Sequence, residues 1–169
     1  MIVEPLVLTD GALPGALLGE ITGLYASNRE FHRLSGDFPD PDDIRPGQVA
    51  RSLMDELAQP HARVLLARSG GRLTAVAATL AHHPDPADPD PWIGLLMVHA
   101  EAQRTGVGRE LAAYIEAGFR REGREGVRLA VLENNPAALR FWTAAGYLVT
   151  GRREDRELHR PCAVMRKAL

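Results

Sequence analysis

The apolar positions change period several times along the chain, and each change marks an element. Ile2 to Leu8 predicts a first strand, ended by Thr9-Asp10-Gly11. From Pro14 to Leu34 the residues Leu17, Leu18, Ile21, Leu24, Tyr25 and Phe31 recur near helical spacing, so one helix is expected, weakened at Gly19 and Gly23. The run from Ser35 to Asp43, rich in proline and aspartate, reads as a loop. Arg45 to Ala58 predicts a second helix, with Pro46 in its first turn and Val49, Leu53, Met54 and Leu57 on one side. Val64 to Ala67 and Leu73 to Leu80 read as a hairpin turning at Gly70-Gly71, followed by a polar connection from Ala81 to Pro91.

The pattern then sharpens. Trp92, Ile93, Leu95, Leu96, Met97 and Val98 form an apolar run of strand length, and a polar bend leads to Gly106 and Gly108. Beyond them Leu111, Ala112, Ile115 and Phe119 repeat every three to four residues, which is helical. Val127 to Leu132 is another strand by its alternation, and Asn134 or Asn135 caps a helix that Pro136 opens and Gly146 ends. Tyr147 to Thr150 and Cys162 to Met165 predict the last two strands, with the charged run 151–160 as a linker. The expected order is β-α-α-β-β-β-α-β-α-β-β without an internal repeat, hence one domain over residues 1–169, of α/β (α+β) class with a mixed sheet flanked by helices.

A strand, a glycine-containing turn and a helix in succession suit an anion. The first-turn N–H groups of a helix lack internal partners and share the positive end of its dipole, and Arg104 and Arg109 add charge. Two common nucleotide motifs are absent: Leu111 stands where a dinucleotide fingerprint needs its third glycine, and Gly108 is followed by Arg109-Glu110 rather than by Lys-Ser or Lys-Thr.

The run Gln103-Arg104-Thr105-Gly106-Val107-Gly108 resembles the acetyl-CoA signature of the GCN5-related N-acetyltransferases (GNAT), in which Gln or Arg is followed after two residues by Gly, one residue, and Gly or Ala. The later block from Val131 to Tyr147 is similar to that family's second strand-to-helix segment, so the chain looks like a small bacterial member. This resemblance implies the GNAT fold, a central, mostly antiparallel sheet whose fourth and fifth strands splay apart to admit the cofactor. It also implies acetyl transfer from acetyl-CoA to a primary amine by direct attack in a ternary complex.

Carried onto this sequence, it assigns the pantetheine arm to the backbone of Leu96, Met97 and Val98, with the Met97 amide facing the thioester oxygen. The diphosphate falls to Gln103, Arg104, Thr105, Gly106, Val107, Gly108 and Arg109, and further cofactor contacts to Asn135, Ala138, Phe141 and Trp142. Seven residues after Asn135 the family often carries a tyrosine as general acid; Trp142 stands there, and an indole N–H is no useful acid. Tyr25 and Tyr147 are the phenols left to consider, beside departure of the thiolate without an acid. For a base the candidates are His82, His83, Glu101 and Glu133. Asn135 reads equally as a helix cap, Cys162 as a small core residue, and Asp37, Asp40, Asp42 and Asp43 either invite a cationic amine or simply solvate a loop.

Composition adds limits. The 169 residues contain 45% hydrophobic side chains and a single cysteine, so neither an intrachain disulfide nor a thiolate metal cluster forms, and the six histidines lack ligand spacing. No metal is expected. Net charge is −2, yet residues 1–91 carry −6 and residues 92–169 carry +4, which favours an anionic cofactor on the second half and a cationic acceptor on the first. No basic stripe with interleaved aromatics points to nucleic acid, and no apolar run approaches membrane-spanning length. A cytoplasmic enzyme acting on a small-molecule amine or a protein amino group is expected, and a homodimer is compatible with the sequence. Two alternatives stand open: a non-catalytic acyl-CoA-binding or protein-interaction module, and an acyltransferase using a longer acyl-CoA or a hydroxyl acceptor.

Overall fold

The computed structural model describes residues 1–83, 85–155 and 158–169; Pro84 in the expected connection and Arg156-Glu157 in the expected linker lie outside the described residues. The elements in chain order are β1 (Ile2–Pro5), α1 (Gly15–Ala26), α2 (Arg29–Ser35), α3 (Pro46–Ala58), β2 (Ala62–Ser69), β3 (Arg72–Leu80), β4 (Trp92–Val98), α4 (Val107–Arg121), β5 (Gly126–Leu132), α5 (Pro136–Ala144), β6 (Leu148–Glu154) and β7 (Pro161–Ala168). All strands belong to one sheet, ordered β1-β2-β3-β4-β5-β7-β6, in which only the β4–β5 pair is parallel.

Alternation sends the apolar side chains to two cores. Leu66, Val76, Ala78 and Met97 face α1 and α3, meeting Ile21, Leu24, Val49 and Leu53. Ala75, Ala77, Ile93, Leu129 and Val131 face α4 and α5, meeting Leu111, Ile115, Phe119 and Trp142. In β4 the register with β3 skips Gly94, since Ala78 pairs with Leu95 and Thr79 with Ile93. That bulge resets the parity, so Ile93 and Leu96 share a face although three residues apart.

Three expectations need correction. The single helix over 14–34 is two, because at Asn28 the backbone leaves the helical region (φ −103°, ψ 46°) and the Asn28 amide donates to Leu24 O at 2.9 Å. The first strand stops at Pro5, after which Leu6 N still donates to Val64 O. The linker 151–160 begins as strand: β6 runs on to Glu154, solvent-exposed along its length and held by pairing with β7 at the sheet edge. Its polar residues carry no period, so pairing alone defines it.

Candidate active site

The β4–β5 pair is the feature that makes a site. It is registered at one position, Trp92 with Arg128, whereas β5 pairs β7 along its whole length and β4 pairs β3 at six positions. Beyond that point the two parallel strands diverge and leave a cleft of about 1320 Å³, lined on one side by Gly94 to Val98 and on the other by Leu129 to Leu132. An ionic cluster holds the closed root. Asp90, 7% exposed at its side chain, accepts from Arg128 Nε at 2.9 Å and Arg166 Nε at 2.7 Å, and Asp88 accepts from the Trp92 indole at 2.9 Å. Burial opposes the ionisation of Asp90, but the Arg166 and Arg128 guanidinium groups outweigh it and hold the carboxyl below its usual range.

The direction of the β4 amides follows from its ladder. His99 N donates to Thr74 O at 2.8 Å, and antiparallel pairing alternates from residue to residue, so Met97 turns its N–H toward β3 while Leu96 and Val98 turn theirs to the open edge. Val98 O confirms the parity by accepting from Asn28 and Gln103 side chains rather than from β3. Met97, expected as the oxyanion donor, therefore has its N–H committed to the ladder; the open-edge donors are its neighbours on either side.

At the mouth, Gly106 is the N-cap of α4 in a left-handed conformation (φ 98°), and Arg104 also has a positive φ of 61°. Two such bends within three residues bring the chain around so that α4 starts against the end of β4. The first helical bond is Glu110 N to Gly106 O, so the amides of Val107, Gly108 and Arg109 have no partner within the helix. Gly108 serves packing: a Cβ there would meet Val98 Cγ2 at 3.3 Å and the Phe141 ring at 3.4 Å. Arg104, Gly106, Gly108 and Arg109 line the cleft, with both arginines exposed. Gln103 spends its side-chain amide on Asn28 Oδ1 at 2.8 Å and Val98 O at 3.2 Å. The Thr105 hydroxyl donates to Ala102 O, and Val107 packs on the α4–α5 core.

On the opposite wall Asn135 caps α5, its Oδ1 accepting from Ala138 N at 3.1 Å, and Asn135, Ala138, Phe141 and Trp142 all line the cleft. Trp142 is 8% exposed and meets the Phe141 and Tyr147 rings edge-on, each at 4.9 Å. Tyr147 is fully buried and donates to Glu116 Oε1 at 3.0 Å, and Lys167 Nζ completes the group at 2.7 Å from Glu116 Oε2. The Tyr147 phenol is turned into the core and is not part of the cleft wall.

The other expected catalytic residues are scattered. Tyr25 lines the cleft, stacked with His32 and edge-on to Phe38; burial, with Glu56 and Asp37 nearby, raises its pKa so that it stays a neutral phenol. His83 lies against Trp92 at 4.9 Å between ring centres, in a neighbouring pocket of about 340 Å³ that shares Glu56, Gly94 and Asp155 with the main cleft. The carboxylate of Glu133 pairs with Arg152 at 3.2 Å and is not part of the cleft wall, and Glu101 pairs with Arg72 at 2.9 Å. Cys162 is buried, and burial pushes its thiol up.

The aspartate loop also differs from its expected part. Asp42 is paired with Arg33, Asp43 with Arg45 and Asp37 with Arg160, while Asp40 accepts from Asp42 N. Asp37 lines the cleft together with Asp55 and Glu56 of α3, and Asp55 has no ion-pair partner among the described residues. Sequence reading also missed His32, 1% exposed and on the cleft wall. Its Nε2–H donates to Tyr25 O at 3.0 Å, which leaves Nδ1 a buried acceptor without a partner. Burial lowers its pKa, so the ring is neutral at pH 7. The spacing of seven from Tyr25, which places both on one helical face, was the available signal. No group of three or more potential metal-ligating side chains occurs among the described residues, and no helix among them is long and apolar enough to cross a membrane.

A forked sheet with open amides beside a glycine-capped helix is the acyl-CoA transferase architecture. Residues 24–147 match the model of the acetyltransferase (GNAT) family, and the chain belongs to that family. Among solved structures it is similar to an acetyltransferase from Thermus thermophilus, with 17% identity, a TM-score of 0.74 and coverage of 100% of this chain and 98% of that one. A GCN5-related N-acetyltransferase from Kribbella flavida has 24% identity and a TM-score of 0.67, covering 99% and 97%. A putative streptothricin acetyltransferase from Bacillus anthracis, solved with acetyl coenzyme A, has 15% identity and a TM-score of 0.57, covering 69% and 67%. No curated protein matches the chain.

Proposed function

We propose that the protein transfers the acetyl group of acetyl-CoA to a primary amine by direct attack in a ternary complex. The observation that carries this reading is the fork itself: β4 offers the open-edge amides of Leu96 and Val98 directly above the unpaired first turn of α4. The α4 turn, with Arg104 and Arg109, suits a diphosphate, and β4 suits the amide-bearing pantetheine arm. The Bacillus anthracis neighbour, solved with acetyl coenzyme A, supports this choice of cofactor.

In the reaction the amine nitrogen forms a bond to the thioester carbonyl carbon, the carbonyl oxygen gains negative charge, and the C–S bond breaks as the electron pair leaves on sulfur. A preorganised open-edge N–H of β4 stabilises that oxyanion. With Trp142 at the usual tyrosine position and Tyr147 held by Glu116, the sulfur departs as thiolate, which a thiol pKa near 8.5 permits. Asp55 and Glu56 draw a cationic acceptor to the far side, and its proton leaves through water to these carboxylates. Orientation in the cleft supplies much of the rate.

The test is an acetyl-CoA titration followed by release of free thiol across a panel of primary amines, cationic ones included. Saturable binding with thiol release and an acetylated product of the expected mass is the anticipated result. Binding without release would instead favour the non-catalytic acyl-CoA module, the reading to which Trp142 lends weight. A product only from longer acyl donors or hydroxyl acceptors would redirect the assignment within the same chemistry.

A further inference from the structure

The break between α1 and α2 lies where the two halves of the cleft meet. Asn28 is 8% exposed and uses its whole side chain. Its Nδ2 donates to Leu24 O at 2.9 Å and Val98 O at 3.1 Å, and its Oδ1 accepts from Gln103 Nε2 at 2.8 Å. The adjacent Ser27 hydroxyl accepts from Ala100 N at 3.0 Å and donates to Leu24 O at 2.7 Å. Residues 27 and 28 are thus fastened to the last residue of β4 and to the turn that leads into α4. On one side of this knot lie Tyr25, His32 and Phe38, which wall the acceptor end; on the other lie Arg104, Gly106 and Gly108 at the anion end.

A fully satisfied buried amide has two consequences. Moving Gln103 leaves the buried Asn28 Oδ1 without its donor, and moving Asn28 breaks its bonds to Val98 O and Gln103, so a shift of the α1–α2 break relative to the 100–106 turn is costly. A plain helix across 27–28 would cost less locally, yet the chain gives up helical continuity to make bonds to residues 70 and 75 positions away.

Resting on the acetyl-CoA reading above, we propose that Asn28 and Gln103 are positioning residues that couple the two ends of the cleft: a diphosphate seated on the α4 turn steadies α2, and with it the acceptor wall. The coupling runs through the Asn28–Gln103 amide pair and Val98 O, a contiguous set of hydrogen bonds.

The experiment is hydrogen–deuterium exchange on the intact protein with and without saturating coenzyme A, with saturation established separately by calorimetry for each variant. In the wild type the amides of residues 29–35 should exchange about fivefold more slowly with coenzyme A bound. Gln103→Glu removes the donors to Asn28 and Val98 while keeping the side-chain shape, so the saturated variant should protect residues 107–110 but not 29–35. Gln103→Arg, which keeps N–H donors at that position, should restore protection of 29–35. Equal protection of 29–35 in Gln103→Glu and wild type overturns the coupling, as does a saturated wild type in which 29–35 is unchanged. Absence of coenzyme A binding by the wild type would overturn the functional reading itself, and calorimetry separates that outcome from a failure of the coupling alone.

Discussion

The two ends of the β4–β5 fork are built from opposite materials. At the root, Asp90 draws Arg128 of β5 and Arg166 of β7 onto one buried carboxylate, and Asp88 accepts from the Trp92 indole. At the mouth, α4 begins with unpaired amides, β4 shows open-edge N–H groups, and Arg104 and Arg109 stand exposed. Satisfied polar groups fix geometry, whereas unsatisfied ones are available to a ligand. The contrast teaches that the cleft is held open from one end: two parallel strands need only one fixed point to diverge, and the twist of a sheet does the rest.

That comparison can be broken most severely at the root. Asp90→Asn leaves two guanidinium groups facing a neutral amide and is expected to lower unfolding free energy by about 3 kcal/mol, read by denaturant unfolding. The pH dependence sharpens it. Because the folded pKa of Asp90 lies below its unfolded value near 3.9, its contribution is complete above about pH 5 and is lost as pH falls through the folded value. The gap between wild type and Asp90→Asn should therefore narrow on acidification; a constant gap from pH 7 to pH 3 would show that charge at Asp90 does not hold the root.

At the mouth, Gly106→Glu places a β-carbon at φ 98° and a carboxylate beside the expected diphosphate, so acetyl-CoA affinity should fall by about 100-fold while the melting temperature changes far less than in Asp90→Asn. Similar affinity for wild type and variant in a titration would detach the turn from the cofactor. Gly126→Ala probes the root more gently. Its Cβ would collide with the Arg166 guanidinium, so that flexible side chain must move and one of the two arginines on Asp90 is disturbed, for a loss of about 1 kcal/mol. A loss as large as that of Asp90→Asn would mean the two arginines act as one unit. The smallest effect is expected at Trp142→Phe: if the indole is packing and not an acid, turnover should change by less than about threefold at saturating substrate. A drop of about a hundredfold in turnover with unchanged KM would return Trp142 to the chemistry.

Much of the cofactor end was legible because it is local. Strand, turn and helix follow one another within about thirty residues, and Gly106, Gly108 and Asn135 each do something that depends on near neighbours: a positive φ, a close approach, a cap. The acceptor end was read less well for the same reason inverted. In sequence the four aspartates of the 37–43 loop read either as an invitation to a cationic amine or as a solvated loop; in the fold Arg33, Arg45 and Arg160 pair with three of them, and Arg160 comes from the far end of the chain.

Periodicity and turn chemistry, which depend on neighbours a few residues apart, were enough by themselves for the existence of the seven strands, for α3, α4 and α5, and for the glycine turn that opens α4. Tertiary structure decided the rest. It broke the first helix at Asn28, whose partners are Val98 and Gln103, and turned the Met97 amide into the ladder while presenting those of Leu96 and Val98. It also brought Asp55 and Glu56 of α3 to the same cleft wall as Asp37, and tied Asp37 to Arg160. In each case the deciding partner lies tens of residues away, and a local pattern carries no information about which distant group will arrive to satisfy a hydrogen bond or neutralise a charge.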